Sequence, residues 1–235
     1  MNSRTIRDIE YQLLPGTNRK TTDIVIERDG LVTVRPPKHF SAVQVDGVVE
    51  SKRMWIYRNL AEWRDMNASR VVREWVNGEG FLYLGCSYRL SLVTDQDEPL
   101  KLMNGRFCLQ RDIIDQKGKQ AAKALFERFF TDKGLERIKS RVDYFAAKVA
   151  VNPLSVTVKD LGYRWGSCSK DGKLAFHWKC MMASPKIIDY IIVHELCHLR
   201  HRDHTDAFWN EVDKLLPDYR ERKESLRSNG AKFDL

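Results

Sequence analysis

SPKIIDYIIVHELCHLRHRDH, residues 184–204, is the stretch of sequence that decides the fold of the C-terminal part of this chain. A serine followed by a proline is typical of a helix start, and the apolar residues that follow lie on nearly all sides of the helix. A helix of this kind is predicted to be buried. Its polar side chains, His194, Glu195 and His198, then require partners inside the protein, and a bound metal ion would supply them.

The spacing of His194 and His198 predicts a metal site. Four residues advance a helix by about 400°, so both imidazoles lie on one face, about 6 Å apart along the axis. Two imidazoles in this arrangement can bind one tetrahedral cation. Glu195 lies beside that cation, where its carboxylate can take a proton from a bound water molecule. The predicted cofactor is one catalytic Zn²⁺ ion, with another divalent metal as the alternative.

A third ligand must come from outside this pair. His201 would share the helix face, but seven residues span about 10 Å of axis, too far for metal–nitrogen bonds of about 2 Å. His204 reaches the metal if the chain turns after Leu199, and the following Thr-Asp pair then predicts the start of the next helix. We therefore predict that His194, His198 and His204 bind the metal and that Glu195 is catalytic.

The composition is that of a soluble globular protein. Of the 235 residues, 43% are hydrophobic and 31% are charged. No apolar run approaches the roughly 18 residues that span a membrane, and the start of the chain lacks the apolar core of a signal peptide. We therefore expect a cytoplasmic protein that has no contact with membranes.

The cysteines predict reduced thiols. There are five of them, an odd number, and no CxxC pair, which does not suit a disulfide framework. Cys168, His177 and Cys180 could in principle form a structural metal site, but their spacing does not match that of any zinc ribbon. We therefore do not predict a metal site there.

The net charge of +8 would suit an anionic partner such as nucleic acid. However, the basic residues are dispersed and alternate with acidic ones, as in residues 220–224. This pattern is typical of a solvated helix face, so nucleic-acid binding is an alternative that the charge pattern does not favour.

Turn and periodicity signals give the first half of the chain a β-rich character. Residues 24–28 and 31–35 flank Asp29-Gly30, and residues 100–103 and 107–110 flank Asn104-Gly105, which predicts two hairpins. Other predicted elements are strands near residues 81–84, 88–93, 154–158 and 173–178, and helices over residues 50–66 and 120–150, the second divided by Gly134.

The composition changes near residues 117–118, where the helical pattern takes over. We predict an α+β fold with a β-rich N-terminal subdomain over residues 1–115. Residues 116–235 are predicted to form a helical connection followed by the metal-binding domain.

Several motifs resemble those of the YgjP-like metallopeptidase family. They cover nearly the whole chain and include Tyr83-Leu84-Gly85, Tyr163-Arg164-Trp165-Gly166-Ser167-Cys168, Phe176-His177-Trp178, Asp189-Tyr190, Val193-His194-Glu195-Leu196-Cys197-His198, His204-Thr205 with Phe208-Trp209, and Pro217-Asp218-Tyr219 with Arg222. The resemblance implies a zincin-like C-terminal domain, in which a strand near residues 173–179 edges the cleft and the helix of the histidines forms its floor. It also implies the three histidine ligands and Glu195 as general base and acid. The role of residues 164–166 stays open between support of the site and contact with substrate.

The leading functional hypothesis is a zinc-dependent hydrolase acting as a metallopeptidase on peptides or proteins. The residue that stabilises the oxyanion stays open among His177, His201, Arg164 and Tyr219. A second hypothesis keeps the metal but cleaves a nucleoside triphosphate to a monophosphate and pyrophosphate. A third is a non-catalytic zinc protein that binds nucleic acid, against which stands the absence of an obvious fourth ligand in the sequence.

Overall fold

In a computed structural model, contacts between residues group the chain into two units, Met1–Arg70 and Val71–Leu235. The structure describes residues 2–18, 20–26, 30–67, 72–162 and 164–235, with their side chains except those of residues 2 and 62–67. Asp29 of the first predicted hairpin and Tyr163 of the family motif lie outside the described residues. The domain boundary expected between residues 115 and 116 stays a prediction.

The N-terminal unit combines one sheet with two helices. Its strands are β1 (Asn2–Ile6), β2 (Ile9–Leu13), β3 (Asp23–Ile26) and β4 (Val32–Arg35), in the spatial order β1-β2-β4-β3. The predicted antiparallel pairing of β3 with β4 is confirmed. Helices α1 (Ala42–Ser51) and α2 (Arg53–Asn67) follow. Ser41 and Gln44 form a capping box at the start of α1, which satisfies backbone donors that the helix itself leaves unpaired.

The second unit begins with another four-stranded sheet. Its strands are β5 (Gly80–Tyr83), β6 (Cys86–Val93), β7 (Leu100–Met103) and β8 (Arg106–Gln110), in the order β5-β6-β8-β7. Strands β7 and β8 form the predicted hairpin. Asn104 and Gly105 both have positive φ, at 50° and 73°, which is the requirement of a type I′ turn.

Helix α3 (Arg111–Val149) is kinked at Gly118 and runs without a break through Gly134, where the sequence predicts a division into two helices. The expected break at Gly134 is wrong, because this residue is a buried part of the helix. A Cβ atom there would lie 3.1 Å from Met181 Cγ and 3.3 Å from Val158 Cγ1. The glycine therefore permits close packing. The non-helical residue of α3 is Gly118, with φ of 78°, at the position where the composition changes.

Three strands form the sheet that borders the predicted metal site: β9 (Ser155–Lys159), β10 (Gly166–Cys168) and β11 (Lys173–His177). Their order is β10-β11-β9. The strand near residues 173–179 was expected to edge the cleft, but β11 is the central strand of the sheet, and the cleft is lined by residues 164–166 at the start of β10 instead. The edge position belongs to β10, which pairs antiparallel with β11.

The last helices surround the sequence that carries the histidines. A short 3₁₀ helix (Trp178–Met182) leads into α4 (Pro185–Cys197), which is followed by α5 (Asp206–Leu215), α6 (Tyr219–Asn229) and a final 3₁₀ turn (Gly230–Lys232). Helix α4 packs against α3, α5, α6 and β10. Nine of its residues are buried, including Ile188, Ile192 and Leu196. The predicted burial of this helix is thereby confirmed.

A bidentate ion pair joins α3 to the start of α4. Arg141 donates two hydrogen bonds of 2.8 Å to the carboxylate of Asp189.

Among the described residues, no helix is both long enough and apolar enough to cross a membrane. Mixed sheets and helices in both units confirm the predicted α+β class.

Candidate metal centre

The chain turns directly after α4 and brings His204 back to it. The helix ends at Cys197, and its last carbonyls accept hydrogen bonds from the turn, with His201 N donating to Cys197 O at 2.9 Å. His204 immediately precedes Thr205, the N-cap residue of α5, as the sequence predicts. The return of the chain therefore depends on where α4 ends and α5 begins.

His194, His198 and His204 lie together in the structure. One ring nitrogen of each is within 4.8 Å of the others, and the Nε2 atoms of His194 and His204 are 3.0 Å apart. Nitrogens of a tetrahedral zinc site with bonds of about 2.0–2.1 Å are separated by about 3.3 Å. The spacing therefore allows the triad to hold a metal ion. Among the described residues, it is the one group of three or more potential ligands that comes together.

The ring nitrogens are oriented for metal binding. His198 Nδ1 lies 3.0 Å from the backbone oxygen of His201, a contact that places the proton on Nδ1 and leaves the Nε2 lone pair for a ligand. His201 thus acts through its carbonyl group. His194 Nδ1 is buried and has no hydrogen-bond partner among the described residues. The Nε2 atoms of His194 and His204 face each other at 3.0 Å, and a cation between them would bind the lone pairs of both.

An aromatic ring packs against the triad, in which His194 and His198 are half-buried and His204 is exposed. The Phe208 ring lies 4.6–5.0 Å from all three imidazoles, measured between centroids. Burial lowers the pKa of His194 to about 3, with further contributions from the other two imidazoles and Lys223. Burial also lowers the pKa of His204. Both rings are therefore neutral at neutral pH, which is the form that binds metals.

Glu195 lies beside the triad in a nearly closed environment. Its exposed fraction is 6%, and burial raises its pKa to about 7, while the positive charge of Arg164 acts in the opposite direction. A Cβ atom at Gly166 would lie 2.6 Å from Glu195 Oε1. The carboxylate of Glu195 therefore occupies the space that any other residue at this position of β10 would fill.

A small cleft contains both His194 of the triad and Glu195. Its volume is about 240 Å³, and it is lined by Arg164, Trp165, Gly166, Tyr190, Ile191, His194, Glu195 and Leu226. Strand β10 and the two residues before it, helix α4 and helix α6 thus all contribute to its lining. Of the four residues that the sequence offers as oxyanion stabilisers, Arg164 belongs to this lining, whereas His177, His201 and Tyr219 do not.

Tyr190 lines the cleft and was not among the site residues predicted from the sequence. It precedes His194 by four residues, so it shares the same face of α4, and their ring centroids are 6.0 Å apart. Burial raises the pKa of Tyr190 to about 12, so its hydroxyl keeps its proton. The hydroxyl forms no hydrogen bond with any described residue. Helical spacing from the first histidine was the signal that could have identified it.

The segment Arg164-Trp165-Gly166 has three different environments. Arg164 lines the cleft, and Gly166 packs against Glu195. Trp165 contacts Phe233, with ring centroids 5.8 Å apart, and its carbonyl oxygen accepts a hydrogen bond of 2.9 Å from His177 N. Within this segment, Trp165 and Gly166 therefore support the site by packing, and Arg164 faces the cleft.

Comparison with known proteins identifies the family of this chain. The family model for the YgjP-like metallopeptidase domain matches residues 20–229. No curated protein matches the chain. Among solved structures, the chain is similar to the metallopeptidase zymogen of Pyrococcus abyssi abylysin, with 20% identity, 40% of this chain and 96% of that chain covered, and a TM-score of 0.38. The family model spans most of the chain, so this protein belongs to the YgjP-like metallopeptidase family and is, at the level of that family, a metal-dependent peptidase.

Proposed function

We propose that the protein is a zinc-dependent peptidase in which His194, His198 and His204 bind one zinc ion and Glu195 is the general base and acid. The observation that carries this proposal is the convergence of three imidazoles next to a buried carboxylate, with His194 and Glu195 lining the same cleft. Zinc held in this way would supply Lewis acidity, polarising a carbonyl group and lowering the pKa of a coordinated water molecule to about 7.

Glu195 would move the proton between water and the leaving group. Its carboxylate accepts a proton from the attacking water molecule and then donates it to the amine nitrogen of the cleaved peptide bond. The raised pKa of Glu195, about 7, suits both steps because a general base works best near the operating pH. Burial of the side chain also keeps bulk water from competing for the proton.

Tyr190 and Arg164 would stabilise the negative charge that develops on the carbonyl oxygen. Both line the cleft with Glu195, and each carries a hydrogen-bond donor: the guanidinium group of Arg164 and the hydroxyl of Tyr190, whose pKa is raised to about 12 by burial. Donors that are fixed in advance in a partly water-excluded cleft are worth more than donors in water.

Replacement of Tyr190 by phenylalanine is expected to lower kcat about tenfold with little change in KM. A hydrogen bond to a charged group contributes about 1.5 kcal/mol or more, and Arg164 remains as a second donor. Steady-state kinetics on a peptide substrate measure the effect. Tyr144→Phe, at an exposed position of α3, is the matched control and is expected to behave like the wild type. A loss confined to KM would assign Tyr190 to substrate binding instead.

Zinc content tests the ligand set. The wild-type protein is expected to retain about one zinc ion per chain after dialysis, and His204→Ala is expected to lose it because two imidazoles remain. Elemental analysis by mass spectrometry measures the metal directly. His39→Ala serves as the control, since His39 belongs to the N-terminal unit and not to the triad. Unchanged zinc content in His204→Ala would remove this residue from the site.

A substrate screen tests the reaction. Peptide cleavage by the zinc-loaded protein, lost on chelation and restored by zinc, is the expected result. Nucleoside triphosphates are included in the same screen, with release of pyrophosphate as the readout. Pyrophosphate release without peptide cleavage would replace the proposed peptidase by a phosphoanhydride hydrolase that uses the same residues.

A further inference from the structure

A second cavity lies next to the metal centre, between α5 and α6. Its volume is about 460 Å³, and its lining consists of Trp209, Tyr219, Arg220, Lys223, Glu224 and Arg227. Three of these six side chains are cationic and one is acidic. The cavity therefore combines an aromatic surface with an excess of positive charge.

Trp209 joins this cavity to the proposed ligands. Its ring stacks on His204, with centroids 5.6 Å apart and an angle of 24° between the planes. It also stacks on Tyr219, with centroids 5.3 Å apart and an angle of 16°. The aromatic wall of the cavity thus contacts one of the residues proposed to bind zinc. A group bound in the cavity would therefore lie close to the reacting bond.

Lys223 is the cation that remains available in this cavity. Arg220 lies 3.3 Å from Asp213, and Arg227 lies 2.9 Å from Glu224. Glu224 also accepts a hydrogen bond from the neighbouring serine hydroxyl, and these contacts lower its pKa. Lys223 forms no ion pair with the described residues, and its Nζ atom lies over the Trp209 ring, 4.5 Å from the centroid.

The distance from Lys223 to the triad fits a short segment of peptide. The two contacts of Trp209 place the Lys223 Nζ atom no more than about 10 Å from the His204 ring, which corresponds to about three extended residues of about 3.3–3.6 Å each. A peptide whose reacting carbonyl lies at the triad would therefore bring a group within three residues of that bond to the ammonium.

We propose that this cavity is a subsite for a carboxylate of the peptide substrate, held by Lys223 within about three residues of the scissile bond. The inference rests on the proposed peptidase function. Peptides made of the standard residues carry negative charge as carboxylates, either at the C-terminus or on Asp and Glu side chains. An ammonium group that has no ionic partner among the described residues and is held over the Trp209 ring would favour such substrates over neutral ones.

Two pairs of peptides distinguish the sources of the carboxylate. One pair differs by a free or an amidated C-terminus, and the other by Glu or Gln within three residues of the cleaved bond. With the zinc-loaded full-length protein, we expect kcat/KM to be about fivefold higher for the acidic member of at least one pair, the effect of an ion pair with a solvent-exposed ammonium group. Which pair responds identifies the terminal or the side-chain carboxylate.

Lys223→Met retains the aliphatic stem over Trp209 and removes the charge. It is expected to abolish the preference for the acidic peptide, and Lys223→Glu is expected to reverse it. Lys214→Met is the matched control: Lys214 is an α5 lysine whose side chain is 73% exposed and which is not part of the cavity lining. It loses the same charge and should keep the wild-type preference. Thermal unfolding of each variant confirms that the fold is retained.

Calorimetric titration of zinc-loaded Glu195→Gln with the same peptides separates the two proposals. Tighter binding of the acidic peptide that depends on Lys223 supports the subsite. It does so even if the wild-type protein cleaves no peptide, because absence of cleavage would contradict the proposed peptidase function and not the proposed subsite. Equal binding and equal cleavage of both members of each pair overturn the subsite. A preference that persists in Lys223→Met, or binding of a nucleoside triphosphate but of no carboxylate peptide, overturns it as well.

Discussion

Replacement of Glu195 by glutamine is expected to lower kcat/KM for peptide hydrolysis by about 10³ or more, with the zinc content unchanged. Glutamine has nearly the same size, so it fits the space beside Gly166, but its amide cannot accept the proton of the attacking water. General acid–base catalysis contributes roughly 10²–10⁴ to the rate, and Glu195 is proposed to act in two proton transfers. The three imidazoles keep their positions because none of them depends on this carboxylate for a hydrogen bond.

Two measurements make this result decisive. Zinc content, measured on the same preparation as the kinetics, separates loss of the base from loss of the metal. Glu136→Gln, at an exposed position of α3, controls for the removal of one carboxylate and is expected to leave the rate unchanged. If Glu195→Gln retained zinc and full activity, the proposed proton transfers would have to be assigned to another group.

The local part of the site could be predicted from the sequence because it depends on helix geometry. Four-residue spacing places His194 and His198 on one face, and the same periodicity predicts the burial of α4. The position of His204 follows from the helix signals on either side of it. Thr205 is the N-cap residue, as predicted, although its side chain forms no capping hydrogen bond.

The rest of the site depends on contacts between segments that are distant in the sequence. Strand β10 has three residues, which is too short for an alternating pattern to appear, so neither its edge position nor its contact with α4 was predictable.

The packing of Gly134 in α3 was not predictable either. A glycine in a helical pattern usually suggests a break, but here Met181 and Val158 pack against it. Sequence patterns identify glycines and do not show which neighbour approaches them.

Replacement of Gly166 by alanine is expected to lower kcat about 10²-fold while zinc binding and the fold are retained. The backbone of Gly166 is that of an ordinary strand residue, so alanine introduces no backbone strain. Its Cβ atom, however, would lie 2.6 Å from Glu195 Oε1 and 2.9 Å from Glu195 Cδ. The carboxylate must move by several tenths of an ångström, and a displacement of about 1 Å at a catalytic group can cost about 10²-fold in rate.

Gly47→Ala is the matched control for this substitution. A Cβ atom at Gly47 would have no heavy atom within 4 Å, and the residue lies in α1 of the N-terminal unit. Alanine is favoured over glycine inside a helix by about 1 kcal/mol, so this variant is expected to be slightly more stable and fully active. Kinetics, zinc analysis and thermal unfolding on both variants separate a displaced base from a general loss of structure.

A double-mutant cycle then shows whether Gly166 acts through Glu195. If the glycine serves the reaction only by leaving space for the carboxylate, Gly166→Ala has no base to displace in the Glu195→Gln protein. The double variant is therefore expected to be as slow as Glu195→Gln alone, with the two effects strongly non-additive. Additive losses would mean that β10 contributes to catalysis by a separate route, such as direct contact with the substrate, and that the close approach of Gly166 to Glu195 is a matter of packing.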